Sequence, residues 1–223
     1  MKRVVIDLGG SLIASPQPNA EYLRNLTKII LELSERYHLI IVAGGGEIAR
    51  KYIKVAQKFG ASEKTCDELG ILATKLNAKL LIACLGDKVY PEIPDRVSQV
   101  CLSQKIFILG GTTPGQTTDA VAAKIAEECK AQLLVVATNV DGIYEEDPKK
   151  NPKAKKFERL SFDELLTLVQ SYEHHPGFSG IIDKKAAETI ARAKIKTIVI
   201  DGRDVNNIKR AIEHQAGGTI IWR

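Results

Sequence analysis

Three segments of the chain repeat one local pattern, in which an apolar run rich in β-branched residues is followed by glycines and then by a helical sequence. The runs with their glycines span residues 4–10, 39–46 and 106–111. They are apolar throughout and do not alternate, which is typical of strands covered on both faces. Two more such runs, residues 133–137 and 195–200, each follow a helical segment. The order predicts an α/β fold with a mostly parallel central sheet.

The helices between these strands are predicted at about residues 21–36, 47–59 and 118–129. The first has one apolar face that fits either the protein core or a subunit interface, and we favour the core. That face consists of Leu23, Leu26, Ile29, Ile30 and Leu33.

Glycines at the ends of parallel strands predict a phosphate-binding crevice. Right-handed crossovers place the carboxyl ends of these strands at one edge of the sheet, where ligands of open α/β sheets bind. Glycine lets the backbone approach a bulky anion, and the helix that follows supplies free N–H donors. Hydroxyl groups that suit phosphate oxygens lie nearby, on Ser11, Thr112, Thr113, Thr117 and Thr118. Neither G-x-x-x-x-G-K-[ST] nor a strand-linked G-x-G-x-x-G occurs, so a P-loop and a dinucleotide fingerprint are excluded.

Two strand ends leave alternatives open. Asp119 opens the helix after the third glycine pair, where it can act as a cap or dipole partner or contact a ligand. Asn139–Tyr144 follows the fourth strand and includes Asp141-Gly142, so it reads either as a turn or as a holder of a base and ribose.

Composition and charge exclude several classes of partner. The chain has 44% hydrophobic and 26% charged residues and a net charge of +5, which is ordinary for a soluble globular protein. The one dense basic run, residues 149–156, lacks interleaved aromatics and falls in a predicted long surface loop, residues 145–156, so no nucleic-acid partner is expected. No segment resembles a signal peptide or a membrane helix. We predict a cytoplasmic protein without a membrane partner.

The four cysteines, Cys66, Cys84, Cys101 and Cys129, form no C-x-x-C pair and have no metal-like spacing to the four histidines. They are therefore predicted to be isolated buried thiols in a reducing cytosol, and no metal site made by the protein's own residues is expected.

Five motifs run in order along nearly the whole chain. They are D-L-G-G-S (7–11), G-G-G-E-I-A-R-K-Y-I (44–53), D-E-L-G-I-L-A-T-K-L-N-A (67–78), G-G-T-T-P-G-Q-T-T-D-A-V-A-A (110–123) and A-T-N-V-D-G-I-Y-E-E-D-P-K (137–149). With them the chain resembles the amino acid kinase superfamily, and most closely its archaeal-type uridylate (UMP) kinases. The resemblance implies ATP-dependent phosphorylation of UMP to UDP with Mg²⁺, commonly by a hexamer. It also implies a three-layer αβα sandwich in which one domain divides into an acceptor lobe, about residues 1–125, and an ATP lobe, about residues 126–223.

The resemblance also assigns binding residues by matching position. For ATP it implies Gly9, Gly10, Ser11, Gly46, Arg50, Thr138, Asn139, Tyr144 and Asp147. For UMP it implies Gly45, Asp67, Thr112, Thr113, Pro114, Gly115, Gln116, Thr117 and Thr118.

The chain departs from the family pattern at several positions. Asp7 stands where many superfamily kinases carry a lysine, and Glu47, Lys75 and Gln116 replace the usual lysine, arginine and histidine. Residues 174–187 differ most, because uridylate kinases of this type usually read A-G-S-S-x-V-I-D-P-L-A-A there.

The resemblance implies a catalytic role for Lys184, and we predict Asp183 and Asp7 as further catalytic residues. Lys184 falls where the wider superfamily, in its G-G-M-x-x-K pattern, places a catalytic lysine. Asp183 would position Lys184 or the nearby helix start. Asp7 would orient a lysine or a magnesium-bound water.

Phosphoryl transfer depends on in-line positioning and charge neutralisation. A phosphate monoester has a second pKa of about 6, so it is a nucleophile at neutral pH without a general base. Two alternatives remain at this stage. One is a kinase of the same fold acting on another phosphate monoester, such as isopentenyl phosphate, which would require an apolar acceptor tunnel. The other is a non-catalytic nucleotide- or oxyanion-binding protein.

Overall fold

The computed structural model describes residues 1–94, 97–102, 105–146, 148, 150–172 and 181–223. Its strands are β1 (Lys2–Leu8), β2 (Tyr37–Ala43), β3 (Phe107–Leu109), β4 (Leu133–Thr138), β5 (Arg159–Leu160), β6 (Thr197–Asp201) and β7 (Thr219–Ile221). Its α-helices are α1 (Gly10–Ile13), α2 (Ala20–Ser34), α3 (Gly46–Lys58), α4 (Glu63–Leu85), α5 (Val97–Leu102), α6 (Thr118–Glu128), α7 (Phe162–Tyr172), α8 (Lys184–Ala193) and α9 (Asn206–His214).

The seven strands form one continuous sheet in the order β3-β2-β1-β4-β6-β7-β5. All neighbouring strands pair in parallel except β6 and β7, which are antiparallel. The prediction of a mostly parallel sheet is confirmed. β1 lies at the centre of the predicted strands and β4 beside it, so the carboxyl ends of both meet at one edge.

Helices cover both faces of the sheet, as the sandwich requires. Alternate residues of β1 point to opposite sides: Val4, Ile6 and Leu8 belong to an apolar cluster shared with α2, α4 and α9, whereas Val5 belongs to a second cluster shared with α6, α7 and α8. Burial on both faces explains why the strands read as continuous apolar runs. The three-layer αβα fold is confirmed.

The apolar face of α2 packs into the core. Leu23, Leu26, Ile30 and Leu33 are buried against the sheet, and Ile29 packs at the edge of the same cluster. The helix begins at Asn19, whose side chain accepts a hydrogen bond from the Tyr22 amide. The core interpretation of this face is therefore correct.

The 23-residue helix α4 is long and apolar enough to cross a membrane by length and composition alone. It packs instead against α2, α3, β2 and β3, and it buries Ala78, Leu81, Ile82 and Leu85 in the core. It starts at Ser62, which accepts a hydrogen bond from the Thr65 amide. These contacts bury one face of α4, and 39% of its most apolar 18-residue stretch is buried.

The prediction of four isolated buried thiols is wrong. Cys101 in α5 and Cys129 after α6 form a disulfide with a Cα–Cα distance of 5.0 Å, and Cys84 is exposed. Only Cys66 is a buried free thiol among the four. The sequence did not indicate the pair, because α5 and the end of α6 meet only through the tertiary packing of the layer that covers β3.

The predicted surface loop, residues 145–156, has no helix or strand among its described residues. Lys150, Lys153, Lys155 and Lys156 are exposed there, as expected of a solvated basic run.

Candidate active site

A cavity of about 290 Å³ opens at the carboxyl ends of β1, β2 and β4. It is built mainly from glycine backbone, hydroxyl groups and two carboxylates, so few side chains restrict what can enter. Its lining residues are Asp7, Gly9, Gly10, Ser11, Gly44, Gly45, Gly46, Arg50, Thr118, Asp119, Val136, Ala137, Thr138, Asn139 and Ile181. Seven of the sequence-predicted ATP residues therefore line one cavity, together with the predicted UMP residues Gly45 and Thr118.

The first two glycine turns touch each other through their backbones. A Cβ placed on Gly10 would lie 2.2 Å from the Gly46 nitrogen and 2.4 Å from the Gly44 oxygen. Gly46 has a φ of +63°, which L-residues with side chains rarely adopt. Only glycine allows this close approach, and the result is a wall of peptide groups without side chains, as a bulky phosphate requires.

The third glycine pair has a different role. The Gly111 amide donates a hydrogen bond of 2.7 Å to Thr74 Oγ1, and a Cβ on Gly110 would lie 2.5 Å from the same atom. These glycines let β3 end close against α4 and do not line the cavity. Of the three glycine clusters expected to line one crevice, only the first two, at the ends of β1 and β2, do so.

Two carboxyl groups lie in contact on the floor of the cavity. Asp7 is 3% exposed, and its Oδ2 has no hydrogen-bond partner among the described residues. Burial first, and then the nearby charges of Asp119 and Asp183, raise the pKa of Asp7 well above its ordinary value. Burial likewise raises the pKa of Asp119 to about 6, in part offset by a hydrogen bond with Asp7. The pair therefore holds a proton near neutral pH unless a cation replaces it.

Asp119 is not the cap of α6. Thr117 is the N-cap residue, and its side chain accepts a hydrogen bond from the Ala120 amide. The Asp119 carboxyl lies in the first turn of α6 and faces the cavity. Asp119 therefore keeps the position of a dipole partner in the first turn of α6, and it also lines the cavity, where a ligand can reach it.

Two charged residues of α3, Arg50 and Glu47, differ in whether they face the cavity. Arg50 is exposed in α3 and lines the cavity, where it can meet an anion. Glu47, which replaces a lysine of the family pattern, accepts a hydrogen bond of 2.8 Å from Ser15 and pairs with Lys51 at 2.9 Å. These hydrogen bonds lower the pKa of Glu47. Glu47 therefore pairs with its neighbours Ser15 and Lys51, and its carboxylate does not line the cavity.

The predicted acceptor loop, residues 112–118, lies beside the cavity and is held from two sides. The Gly115 amide donates a 2.7 Å hydrogen bond to Asp67 of α4, and the Gly115 carbonyl accepts one of 2.7 Å from Lys185 of α8. The Thr117 hydroxyl donates to Asp183. Thr112 to Thr117 are exposed, with polar groups available to a ligand.

The start of α8 carries two of the predicted catalytic residues. Asp183 is the N-cap, and its Oδ1 accepts hydrogen bonds from the Lys185 and Ala186 amides. Lys184 is the first residue of the helix and is exposed, outside the cavity lining. Asp183 thus fixes the helix start, one of the two roles expected for it. Residues 174–180 of the unusual segment lie outside the described residues.

A charged cluster surrounds the region predicted for adenosine. The Tyr144 hydroxyl donates a 2.7 Å hydrogen bond to Asp141, and Lys156 lies 3.0 Å from the same carboxylate. Arg203 pairs with Asp201 at the end of β6, at 2.7 Å. The predicted residue Asp147 lies outside the described residues.

The sequence analysis left the roles of Asp119 and Asp141 open, and it did not single out Lys185, Lys156, Asp201 or Arg203. The end of β6, Asp201-Gly202, carried the same signal as the other strand ends and could have identified Asp201 and Arg203. Nothing in the sequence indicated that Lys185 rather than Lys184 reaches the acceptor loop.

The fold and this cavity define a class of protein. The family model of the amino acid kinase family matches residues 2–201, and the chain belongs to that family. Within it, the chain belongs with the archaeal-type uridylate kinases. It is 42% identical over 222 residues to the uridylate kinase of Thermococcus kodakarensis, covering 98% of this chain and 99% of the relative. It is 43% identical over 226 residues to that of Methanocaldococcus jannaschii, with the same coverage.

Solved structures agree with this placement. The uridylate kinase of Archaeoglobus fulgidus superposes with a TM-score of 0.87 at 41% identity, covering 99% of this chain and all of that one. The UMP kinase of Ureaplasma parvum superposes with a TM-score of 0.81 at 25% identity, covering 100% of this chain and 99% of that one.

Proposed function

We propose that the protein transfers the γ-phosphoryl group of ATP to UMP, giving ADP and UDP. The observation that carries this proposal is the glycine-walled cavity lying beside an exposed polar acceptor loop, in a chain that matches uridylate kinases over nearly its full length. The cavity suits phosphate groups, and the adjoining loop offers hydrogen-bond donors and acceptors to a nucleoside.

We place the two substrates on two lobes. UMP would bind the acceptor lobe, about residues 1–125, between Asp67, Gly45 and the loop 112–118. ATP would bind the ATP lobe, about residues 126–223, with adenosine near Thr138, Asn139 and Tyr144. The ATP phosphates would reach across to the glycine turns at the ends of β1 and β2.

In the reaction, a phosphate oxygen of UMP forms a bond to the γ-phosphorus of ATP as the bond between that phosphorus and the bridging oxygen breaks. The UMP phosphate needs no general base, since it is already largely ionised at neutral pH. The peptide N–H groups of the glycine turns stabilise the charge on the transferred group. Arg50 and Lys184 add positive charge, and Asp183 fixes the helix that carries Lys184.

The floor of the cavity fits a magnesium ion. Asp7 Oδ2 is buried without a hydrogen-bond partner in the part of the chain that the structure describes, Asp119 lies beside it, and Mg²⁺ prefers oxygen ligands. No group of three or more metal-ligating side chains with suitable geometry occurs in the described part of the chain. Asp7 and Asp119 would therefore hold the ion together with ATP. When bound, Mg²⁺ neutralises charge on the β- and γ-phosphates.

A coupled assay of ADP release tests the function directly. UMP, CMP, dUMP and isopentenyl phosphate would be compared as acceptors at equal concentration. We expect UMP to give the highest kcat/KM. Preference for isopentenyl phosphate would support the alternative kinase, and ATP binding without turnover of any acceptor would support a binding protein.

We also propose that the protein is a cytoplasmic homo-oligomer, a hexamer as in the family pattern. Large exposed apolar side chains cluster on the hairpin of α3 and α4, where Phe59 is 87% exposed. The cluster consists of Tyr52, Val55, Phe59, Leu72 and Leu76. Light scattering after size exclusion should show a multiple of 24.4 kDa, and Phe59→Glu should reduce it, whereas Lys64→Glu should not.

A further inference from the structure

We propose that Lys185 is a positioning residue that ties the acceptor loop to the ATP lobe; this inference rests on the proposed function. The ammonium group of Lys185 donates a 2.7 Å hydrogen bond to the Gly115 carbonyl. On the opposite side, the Gly115 amide donates a 2.7 Å hydrogen bond to Asp67. Gly115 is thus hydrogen-bonded on one side to the ammonium group of α8 and on the other to the carboxylate of α4.

These two contacts decide where the tip of the loop lies. Gly115 has a φ of +78°, and apart from its chain neighbours no atom of the described residues lies within 4 Å of the place a Cβ would take. Among these residues, the tip has no side-chain packing of its own at this point. Hydrogen bonds to charged groups are stronger than neutral ones, so the loop position depends on Asp67 and Lys185. The Thr117 hydroxyl adds a third tie, to Asp183.

The contact of Lys185 joins parts of the chain that would bind different substrates. Helix α8 follows its N-cap residue Asp183 and packs against α7 of the ATP lobe and against α6, most of which belongs to the acceptor lobe. The charge of Asp183 acts on both Asp7 and Asp119. The loop at Gly115 belongs to the acceptor lobe. Lys185 therefore fixes the distance between the start of α8 and the acceptor loop, which in-line transfer requires.

Removal of the ammonium group should loosen the loop without disturbing the fold, because Lys185 is exposed. For Lys185→Met we expect the KM for UMP to rise about five- to tenfold, the range of one partly exposed charged hydrogen bond. The KM for ATP should stay within about twofold of the wild-type value, since Lys185 makes no contact at the glycine turns. Lys185→Arg should restore most of the UMP affinity, and Lys124→Met, an exposed lysine of α6, is the matched control.

Hydrogen exchange of the ligand-free protein tests the contact independently of turnover. Peptides covering residues 112–118 should exchange faster in Lys185→Met than in the wild type, and no faster in Lys124→Met. Unchanged exchange would overturn the contact as a restraint. Faster exchange with an unchanged KM for UMP, or a failure of arginine to rescue, would overturn the positioning role. If the wild type turned over no UMP, the proposed function would fail, while the exchange result would still decide whether Lys185 restrains the loop.

Discussion

Asp7 and Asp119 bring two carboxyl groups into contact at the floor of the glycine-walled cavity, although they belong to β1 and α6. Two buried carboxylates repel each other, so the pair is stable only with a shared proton or with a cation. A site that binds anionic phosphates on peptide groups thus carries negative charge at its base. This relationship leads to two predictions.

The first prediction concerns pH. Because burial, with a smaller contribution from the charge of Asp183, raises the pKa values of both Asp7 and Asp119, the folded state holds protons that the unfolded chain has already lost at neutral pH. Stability should therefore fall as the pH rises from about 4 through 6, the pKa of Asp119. Asp119→Asn should relieve this loss by roughly 1–3 kcal/mol at pH 8 and by little at pH 4.

Urea unfolding at the two pH values, without metal or nucleotide, measures this effect. Asp87→Asn, at an exposed position, serves as the control and should behave like the wild type at both pH values. The difference in free energy of unfolding between the wild type and Asp119→Asn should change between pH 4 and pH 8. The same difference at both pH values would contradict the raised pKa values.

The second prediction concerns magnesium. If Asp7 and Asp119 hold a divalent cation, it would take the place of their shared proton, so Mg²⁺ alone should raise the melting temperature at pH 8 and much less at pH 5. Asp7→Asn should abolish the stabilisation by Mg²⁺. An equal shift in the wild type and in Asp7→Asn would place the cation elsewhere.

The third prediction concerns the contact of the two glycine turns. Gly10→Ala forces a methyl group onto the Gly46 nitrogen and the Gly44 oxygen, which are backbone atoms that cannot rotate away. We expect the free energy of unfolding to fall by about 3 kcal/mol. We also expect the variant to lose ATP binding. Gly70→Ala is the matched control, since a Cβ there meets only the end of Ile53, at 3.5 Å. Normal ATP affinity in Gly10→Ala would contradict the close backbone contact between Gly10 and the turn at Gly44 and Gly46.

The fourth prediction concerns the disulfide. Cys101 and Cys129 close a segment that contains β3, the acceptor loop and α6, with a sequence separation of 28 residues. Loop-closure entropy for that length corresponds to about 3–4 kcal/mol. Cys129→Ser should lower the free energy of unfolding by this order under oxidising conditions, whereas Cys84→Ser, at an exposed free thiol, should not. Equal stability of the wild type and Cys129→Ser would contradict the estimate.

The sheet and the place of the cavity could be predicted from the sequence, because both depend on local patterns. Continuous apolar runs identified β1, β2, β3, β4 and β6 to within about two residues at each end. The short strands β5 and β7, which lie side by side at one end of the sheet with two and three residues, gave no such signal.

The chemistry of the cavity floor could not be predicted, because it depends on contacts between distant segments. Asp119 looked like an ordinary residue of a first helical turn until its burial against Asp7 was known. The bond from Lys185 to Gly115 and the Cys101–Cys129 disulfide likewise join elements whose meeting depends on how the helix layers pack. The glycines at 110 and 111 followed the same pattern as the others, yet the packing of α4 gives them a structural role.

The central claim is that one molecule of UMP receives one phosphoryl group from one molecule of ATP. Anion-exchange chromatography of a reaction of the wild-type protein with equimolar ATP, UMP and Mg²⁺ separates both substrates and both products, and phosphorus-31 NMR of the same mixture detects free phosphate. The account predicts that UDP and ADP grow in equal amounts, with no free phosphate. Conversion of ATP to ADP and inorganic phosphate without UDP, or no change in either nucleotide, would contradict it.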